Sequence, residues 1–309
     1  MKTRNNLSKL SLNLIVILTM AFSMASLTSC EKADDTLDLS ADDTQVAAID
    51  ETLASELFDE IVEIGEEAEV TSTTKSTEEV ASPFYRLSDC VTITREYNED
   101  SRTITIDFGE ENCEGPDGRL RRGKIIIVRS GFYWTTDVTA TYSFENYFVD
   151  DNQLTGTKTY LGAFNDDATQ NDDGTFNEDR TYSSSFITDG EIILANEGGT
   201  ITWNAERYRT ITEGAETWGF ADNRVEVTGS SNGVTSDGQT FTSEITTPLV
   251  RIYQEDCFRF YVSGIVKIVK ADGTEIIIDY GDGTCDDLAT VTTNGESEII
   301  QLGNGPLVN

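Results

Sequence analysis

The stretch that decides the fold reads Thr103-Ile104-Thr105-Ile106-Asp107-Phe108-Gly109, and the chain contains it twice. The second copy reads Glu275-Ile276-Ile277-Ile278-Asp279-Tyr280-Gly281, near the C-terminal end. Apolar residues alternate with polar ones and then run into Asp-aromatic-Gly, which predicts a half-buried β-strand that enters a turn. Two copies of one strand-turn unit, one at each end, predict a single β-domain with related ends.

Each copy lies between two cysteines. Cys90 and Cys113 flank the first copy, and Cys257 and Cys285 flank the second. An even number of cysteines in an oxidising compartment predicts disulfides. The repeat favours one bond within each unit, and each bond would contribute about 3 kcal/mol in the chain-entropy model. The alternative links the two units, Cys90 with Cys257 and Cys113 with Cys285.

The first 29 residues have the organisation of a secretory signal. Three cations precede residue 10, and residues 10–24 are mostly apolar but too short and too polar for a spanning helix. The signal ends at Leu27-Thr28-Ser29-Cys30, which resembles the lipobox of bacterial lipoproteins. The resemblance implies cleavage before Cys30 and acylation of that residue by palmitate-type chains, which anchor a protein without a transmembrane helix. An ordinary signal peptide with an incidental cysteine is the alternative.

An acidic run follows the predicted anchor and reads Glu31-Lys32-Ala33-Asp34-Asp35. It resembles the surface-export signal of Bacteroidetes-type lipoproteins, and it implies an outer-membrane protein that is exposed at the cell surface. The chain as a whole is similar to the β-rich outer-membrane lipoproteins of those bacteria. That resemblance implies a location and brings no activity with it.

Residues 30–82 form an acidic tether that contains one helix. Apolar residues recur at three- and four-residue steps between about 43 and 68, with Glu and Asp on the opposite face, which predicts an amphipathic helix. Because an isolated helix of this kind is marginal in water, we expect its apolar face to dock on the β-domain rather than on a partner. Residues 69–82 lack this periodicity, and their composition predicts a flexible spacer.

Residues 83–309 have the pattern of one all-β domain. Short stretches rich in Thr, Ile, Val, Tyr and Phe are separated by turn signals such as Thr188-Asp189-Gly190. Short connections predict an antiparallel meander, either a sandwich, a barrel or a long curved sheet. Within residues 136–149, we expect Tyr142, Phe144 and Phe148 on one face of the strand and polar residues on the other.

Composition argues against several function classes. The chain has 22 basic and 56 acidic residues, a formal net charge of −34, and no histidine. Nucleic acid is not expected as a partner, because phosphate contacts need a basic face. Without histidine, and with four cysteines predicted to be oxidised, Ser-His-Asp and Cys-His catalysis and the usual zinc sites are excluded. We therefore predict that the protein is not an enzyme, and paired carboxylates of the glycosidase kind are the remaining catalytic hypothesis.

Three tryptophans are the candidate ligand-binding residues: Trp134, Trp203 and Trp218. An exposed tryptophan face can stack on a sugar ring, so these residues are the basis of a glycan-binding hypothesis. Large aromatic residues in β-domains more often belong to the core, and that interpretation is favoured.

An acidic segment is the candidate metal site, with oxygen ligands for calcium from Asp166, Asp167, Asn171, Asp172 and Asp173. Its register does not fit an EF-hand loop, so a solvated hairpin loop is the favoured interpretation. No other cofactor is expected.

A basic cluster interrupts the acidic sequence at Arg119, Arg121, Arg122 and Lys124. One interpretation is a contact with an anion or a partner. The favoured interpretation is a set of charges on an edge strand that discourages pairing with other sheets.

These observations predict a lipid-anchored cell-surface protein with a non-enzymatic structural or partner-binding role. A glycan-binding surface lipoprotein is the alternative, and a glycoside hydrolase is the third hypothesis. The expected partners are the membrane, through the lipid anchor, and a glycan or another surface protein.

Overall fold

The computed structural model describes residues 43–70, 86–130, 138–164, 181–215, 222–254 and 257–303. Within these ranges the chain forms one α-helix, α1 (Asp43–Val70), followed by fourteen β-strands. The strands are β1 (Thr92–Tyr97), β2 (Arg102–Asp107), β3 (Cys113–Glu114), β4 (Leu120–Ser130), β5 (Val138–Val149), β6 (Asn152–Phe164), β7 (Tyr182–Ile193), β8 (Thr200–Glu213), β9 (Arg224–Val234), β10 (Thr240–Ile252), β11 (Ser263–Lys270), β12 (Glu275–Asp282), β13 (Leu288–Thr293) and β14 (Glu296–Gln301).

The strands form one antiparallel sheet in which the spatial order follows the sequence. The order runs from β1 to β14, and only the short β3, which pairs with β4, lies off this path. β1 and β14 are the two edges, so the sheet is open rather than closed. The predicted all-β antiparallel meander with a preceding helix is therefore confirmed, and of the three architectures considered the chain adopts the long single sheet.

The sheet curves around α1, which lies against its inner face. Side chains of α1 reach both ends of the strand order, from Arg102 in β2 to Glu298 in β14. None of the side chains of residues 45–69 is exposed. The helix docks on the β-domain as expected, and its acidic face is enclosed as well as its apolar face.

The ring of Phe58 packs against aromatic residues of the sheet. Its ring stacks on Trp203 with the ring centroids 5.6 Å apart, and it meets Phe144 edge-on at 6.2 Å. A Cβ atom at Gly190 would lie only 2.2 Å from Cζ of Phe58. The prediction of a turn at Thr188-Asp189-Gly190 is wrong, because these residues lie inside β7 and the glycine makes room for the ring.

A bulge changes which face of β5 its aromatic residues occupy. Tyr142 is buried, as expected. Near Asn146, which has a φ of +46°, the pairing of β5 with β6 shifts register. Beyond the bulge Tyr147 is buried, while Phe148 lies on the other face against the guanidinium of Arg122. The prediction that Phe148 shares a face with Tyr142 is therefore wrong, since a bulge inserts an extra residue into the alternation.

The repeated unit is a β-hairpin enclosed by a disulfide. Cys90 and Cys113 enclose β1 and β2 with their Cα atoms 6.1 Å apart, and Cys257 and Cys285 enclose β11 and β12 with theirs 5.0 Å apart. In both copies the repeat aspartate accepts a hydrogen bond from the N–H of the glycine two residues later, at 2.9 Å. The structure thus has the favoured pairing, with one disulfide in each unit.

Candidate functional site

The inner face of the sheet presents cations to the helix. α1 contains ten acidic residues and no lysine or arginine. Ten cationic side chains from the strands and the segments beside them form ion pairs with α1, and an eleventh, Arg95, donates to the carbonyl of Ala68. We call the surface that these eleven form the helix-binding trough: Arg86, Arg95, Arg102, Arg119, Arg121, Arg129, Lys158, Arg207, Arg209, Arg251 and Arg259. The described ranges contain sixteen lysines and arginines, so an acidic protein directs most of its cations inward.

Glu51 is held by four donors from three adjacent strands. Nε1 of Trp203 donates to its Oε2 and Nη2 of Arg207 to its Oε1, both at 2.8 Å. The hydroxyls of Ser231 and Ser243 donate at 2.8 and 2.9 Å. Trp203 is fully buried, so it is a core residue and a hydrogen-bond donor in this site and offers no exposed face to a sugar ring.

Glu60 lies between two arginines of the basic cluster. Nε of Arg121 donates to its Oε1 at 2.9 Å, and Nη1 of Arg119 donates to its Oε2 at 3.1 Å. Asp117 holds the other side of the Arg121 guanidinium at 2.6 and 2.9 Å. Burial opposes ionisation of Glu60, but the guanidinium groups outweigh it and lower the pKa of this carboxyl to about 2.

The four cations of that cluster divide between the two faces of the sheet. Arg119 and Arg121 are buried in the trough, whereas Arg122 and Lys124 pair with aspartates on the outer face. Arg122 and Lys124 are two residues apart in β4, so the alternation of a strand places them on the same side. The edge-strand interpretation is wrong, because β4 lies inside the sheet between β2 and β5. The anion that the buried pair contacts is the helix of the same chain.

Asp59 and Lys158 form a buried pair near the middle of α1. Nζ of Lys158 donates to Oδ1 of Asp59 at 3.0 Å and to the carbonyl of Phe58 at 2.9 Å. The hydroxyl of Tyr261 donates to Oδ2 of Asp59 at 2.6 Å. Burial disfavours the charged carboxylate, but Lys158 and Arg251 outweigh it and hold the pKa of Asp59 below its usual value.

Two other buried carboxyls of α1 accept hydrogen bonds from backbone N–H groups. Asp50 accepts a hydrogen bond from the N–H of Ser236 at 2.7 Å, and burial together with the nearby charge of Asp237 raises its pKa to about 6. Glu67 accepts from the N–H groups of Arg86 and Leu87 at 2.7 and 3.1 Å, and burial raises its pKa to about 7. These two groups gain protons at a pH where Glu60 stays charged.

The helix fills the trough almost completely. Two cavities of about 20 Å³ each lie between α1 and the sheet. Asp59, Glu63 and Arg207 are among the residues that line one, and Glu56 and Arg259 are among those that line the other. That volume suits about one water molecule, whereas small-molecule sites have volumes of about 300 Å³ or more. With α1 in place, the trough is therefore a site for a helix rather than for a small ligand.

Several candidate residues lie outside the described ranges. They are the lipidation residue Cys30, the tryptophans Trp134 and Trp218, and the acidic segment that contains Asp166, Asp167, Asn171, Asp172 and Asp173. Lipidation, glycan stacking and calcium binding by these residues stay predictions. Within the described ranges, no helix has the length and apolar character needed to cross a membrane.

The comparisons with known proteins identify no relative: no family model, no curated protein and no solved structure matches the chain. The geometry of the trough therefore carries the functional argument.

Sequence reasoning missed most of the trough. Arg207 alternates with exposed residues in β8 and shares the inner face with Trp203 and Ala205. A cation at an inward position of an apolar strand face was the available signal, because buried charges are nearly always paired. An acidic helix elsewhere in the chain supplies the matching carboxylates.

Proposed function

We propose that the protein is a lipid-anchored cell-surface protein with a non-enzymatic structural or partner-binding role. The observation that carries the proposal is the ion-paired seating of α1 in the trough. α1 follows the predicted anchor at Cys30 in the sequence and precedes the whole sheet. The helix is therefore suited to join an anchored segment to a rigid domain.

The state of the buried carboxylates supports a non-enzymatic role. Glycosidic chemistry needs two acids that reach the substrate. Glu51, Glu60 and Glu63 are each neutralised by arginines and enclosed between α1 and the sheet. A partner would instead meet the outer face and the edges of the sheet, where exposed polar residues such as Thr141 and Thr159 alternate with the core positions.

The anchor is tested with a Cys30→Ala variant expressed in a cell that lipidates its own lipoproteins. We expect the wild-type protein in the outer-membrane fraction and sensitive to protease added to intact cells. The variant should move to the soluble fraction, because it has no acylated residue. Ser29→Ala is the matched control and should stay with the membrane. A Cys30→Ala protein that remains in the membrane fraction would contradict the proposal.

The role itself is tested by crosslinking on intact cells. A structural or partner-binding protein should give discrete crosslinked species through its outer face. Hydrolysis of a polysaccharide by the purified protein would instead support the glycosidase hypothesis, and it would count against a non-enzymatic role.

A further inference from the structure

α1 connects parts of the sheet that are not directly paired with each other. Glu56 contacts Arg119, which precedes β4, at 2.6 Å, and Arg259, which precedes β11, at 3.2 Å. Glu63 contacts Arg86, which precedes β1, and Arg251 in β10. One carboxylate thus holds cations from both halves of the strand order. The open sheet depends on a helix with this spacing of carboxylates.

The covalent connection between α1 and the sheet joins two points that are already adjacent. Glu67, in the last turn of α1, accepts a hydrogen bond from the N–H of Arg86 at 2.7 Å. Residues 71–85 lie between them in the sequence. Fifteen residues can span about 50 Å when extended. The connection is therefore long enough for α1 to reach the trough of a neighbouring copy.

The openness of the sheet removes the topological obstacle to such an exchange. Because β1 and β14 are unjoined edges in the strand order, a helix can leave or enter between them without threading through a closed ring. The buried cations also select the incoming helix. An unmatched helix would leave Arg207 without Glu51 and Arg251 without Glu63, and a buried arginine that loses its carboxylate is costly.

We propose that α1 is exchangeable between copies, so that the trough of one chain binds α1 of a second copy and a helix-exchanged dimer forms. Charge complementarity commits the site to this occupant, since α1 of a second copy supplies the same carboxylates that α1 supplies to the trough within one chain. Both troughs of the dimer keep the ion pairs of the single chain. This inference is independent of the predicted lipid anchor.

The exchange is tested with two preparations of residues 31–309 that carry a protease recognition sequence between residues 71 and 85. One preparation has an N-terminal tag, and the other is untagged and labelled with ¹⁵N. After the two are mixed at high concentration and incubated, the dimer fraction is isolated by size, diluted, cleaved and captured through the tag. We expect about half of the captured β-domain to carry ¹⁵N. Absence of a dimer fraction, or capture of unlabelled β-domain alone, would overturn the proposal.

Exchange of fragments after cleavage is measured separately by cleaving the two preparations before mixing them. This control lasts only as long as the capture step, so it registers exchange between loose fragments and not the slower exchange during incubation. Labelled β-domain recovered equally in that time would show that the first result came from loose fragments, and it would overturn the proposal.

A charge-swapped pair of variants tests the specificity. Asp59→Lys and Lys158→Asp each place like charges together within one chain, whereas exchange between the two restores one native pair and one reversed pair. We expect a mixture of the two to contain at least tenfold more dimer than either variant alone. Lys267→Asp, on a partly exposed strand position away from α1, is the control and should not form dimer with Asp59→Lys above the wild-type level.

A mixture of Asp59→Lys and Lys158→Asp with no more dimer than the separate variants would overturn the proposal. If either variant fails to fold, the exchange between wild-type chains decides the matter.

Discussion

Single buried charges in the trough are expected to matter far more than charges on the outer face. Arg121 is fully buried between Glu60 and Asp117, while its neighbour Arg122 pairs with Asp151 at the surface. Removing one partner from a buried ion pair leaves an uncompensated charge and typically costs about 3–5 kcal/mol. Surface pairs contribute about 1 kcal/mol or less.

We therefore predict that Arg121→Met lowers the unfolding free energy by about 3–5 kcal/mol and Arg122→Met by about 1 kcal/mol or less. Urea unfolding of the two variants beside the wild-type protein measures the difference. Equal losses would contradict the assignment of Arg121 to a buried site.

The buried carboxyls Asp50 and Glu67 predict a stability that falls as the pH rises. Their pKa values of about 6 and about 7 lie above the ordinary 3.8 and 4.5, so the folded state binds protons more tightly than the unfolded state. The stabilisation from these two protonated carboxyls is fully present at a pH below their ordinary pKa values. It is lost as the pH rises through about 6 for Asp50 and about 7 for Glu67. Shifts of this size correspond to about 3 kcal/mol for each group.

Glu60 has the opposite effect on the pH dependence of stability, because its pKa is lowered to about 2. Its contribution to the unfolding free energy is lost only as the pH falls below about 4.5. We expect Glu67→Gln to flatten the dependence of the unfolding free energy on pH between 5 and 8, as measured by urea unfolding. Glu114→Gln, at an exposed position, is the control and should keep the wild-type slope. An unchanged slope in Glu67→Gln would show that this carboxyl ionises normally in the folded protein.

At the scale of elements, α1 packs against β7 because Gly190 has no side chain and leaves room for the ring of Phe58. A Cβ atom at Gly190 would collide with the ring of Phe58, and crowding of this kind costs about 1–3 kcal/mol. Gly190→Ala should lower the thermal midpoint of unfolding accordingly. Phe58→Leu removes the ring, so the double variant should lose less stability than the sum of the two single losses. Strict additivity would contradict the contact.

The elements differ in how far the sequence predicts them. The apolar periodicity predicts the helix at about 43–68, and the structure has it at Asp43–Val70, because this periodicity is local information. The ion-pair partners of its acidic residues cannot be predicted from local periodicity. Glu51 is paired with Arg207, a residue 156 positions away, and no local pattern indicates that such a partner exists. The turn expected at Gly190 failed for a similar reason, since the residue that requires a glycine there belongs to another element.

The repeated hairpins were predictable because each contains its own determinants. Two cysteines, an alternating strand and a glycine turn lie within one short stretch, and the structure shows the same disulfide-enclosed hairpin twice. The trough was not predictable in this way, since its cations come from segments spread between Arg86 and Arg259.

At the scale of the whole molecule, the open sheet and α1 are complementary in charge. The sheet supplies eleven cationic side chains, the helix supplies the carboxylates, and the outer surface is left strongly acidic. The helix follows the predicted anchor, so the same contacts that stabilise the fold would hold the β-domain to an anchored segment.

The most direct test of this account is cleavage of the full chain at a protease site placed between residues 71 and 85, followed by size-exclusion chromatography at neutral pH. We predict that the fragment containing α1 and the fragment containing the sheet elute together and separate only in denaturant, because the buried ion pairs and the Phe58 contact hold them. Separation of the two fragments in buffer alone would contradict the central claim that α1 is bound in the trough by noncovalent contacts.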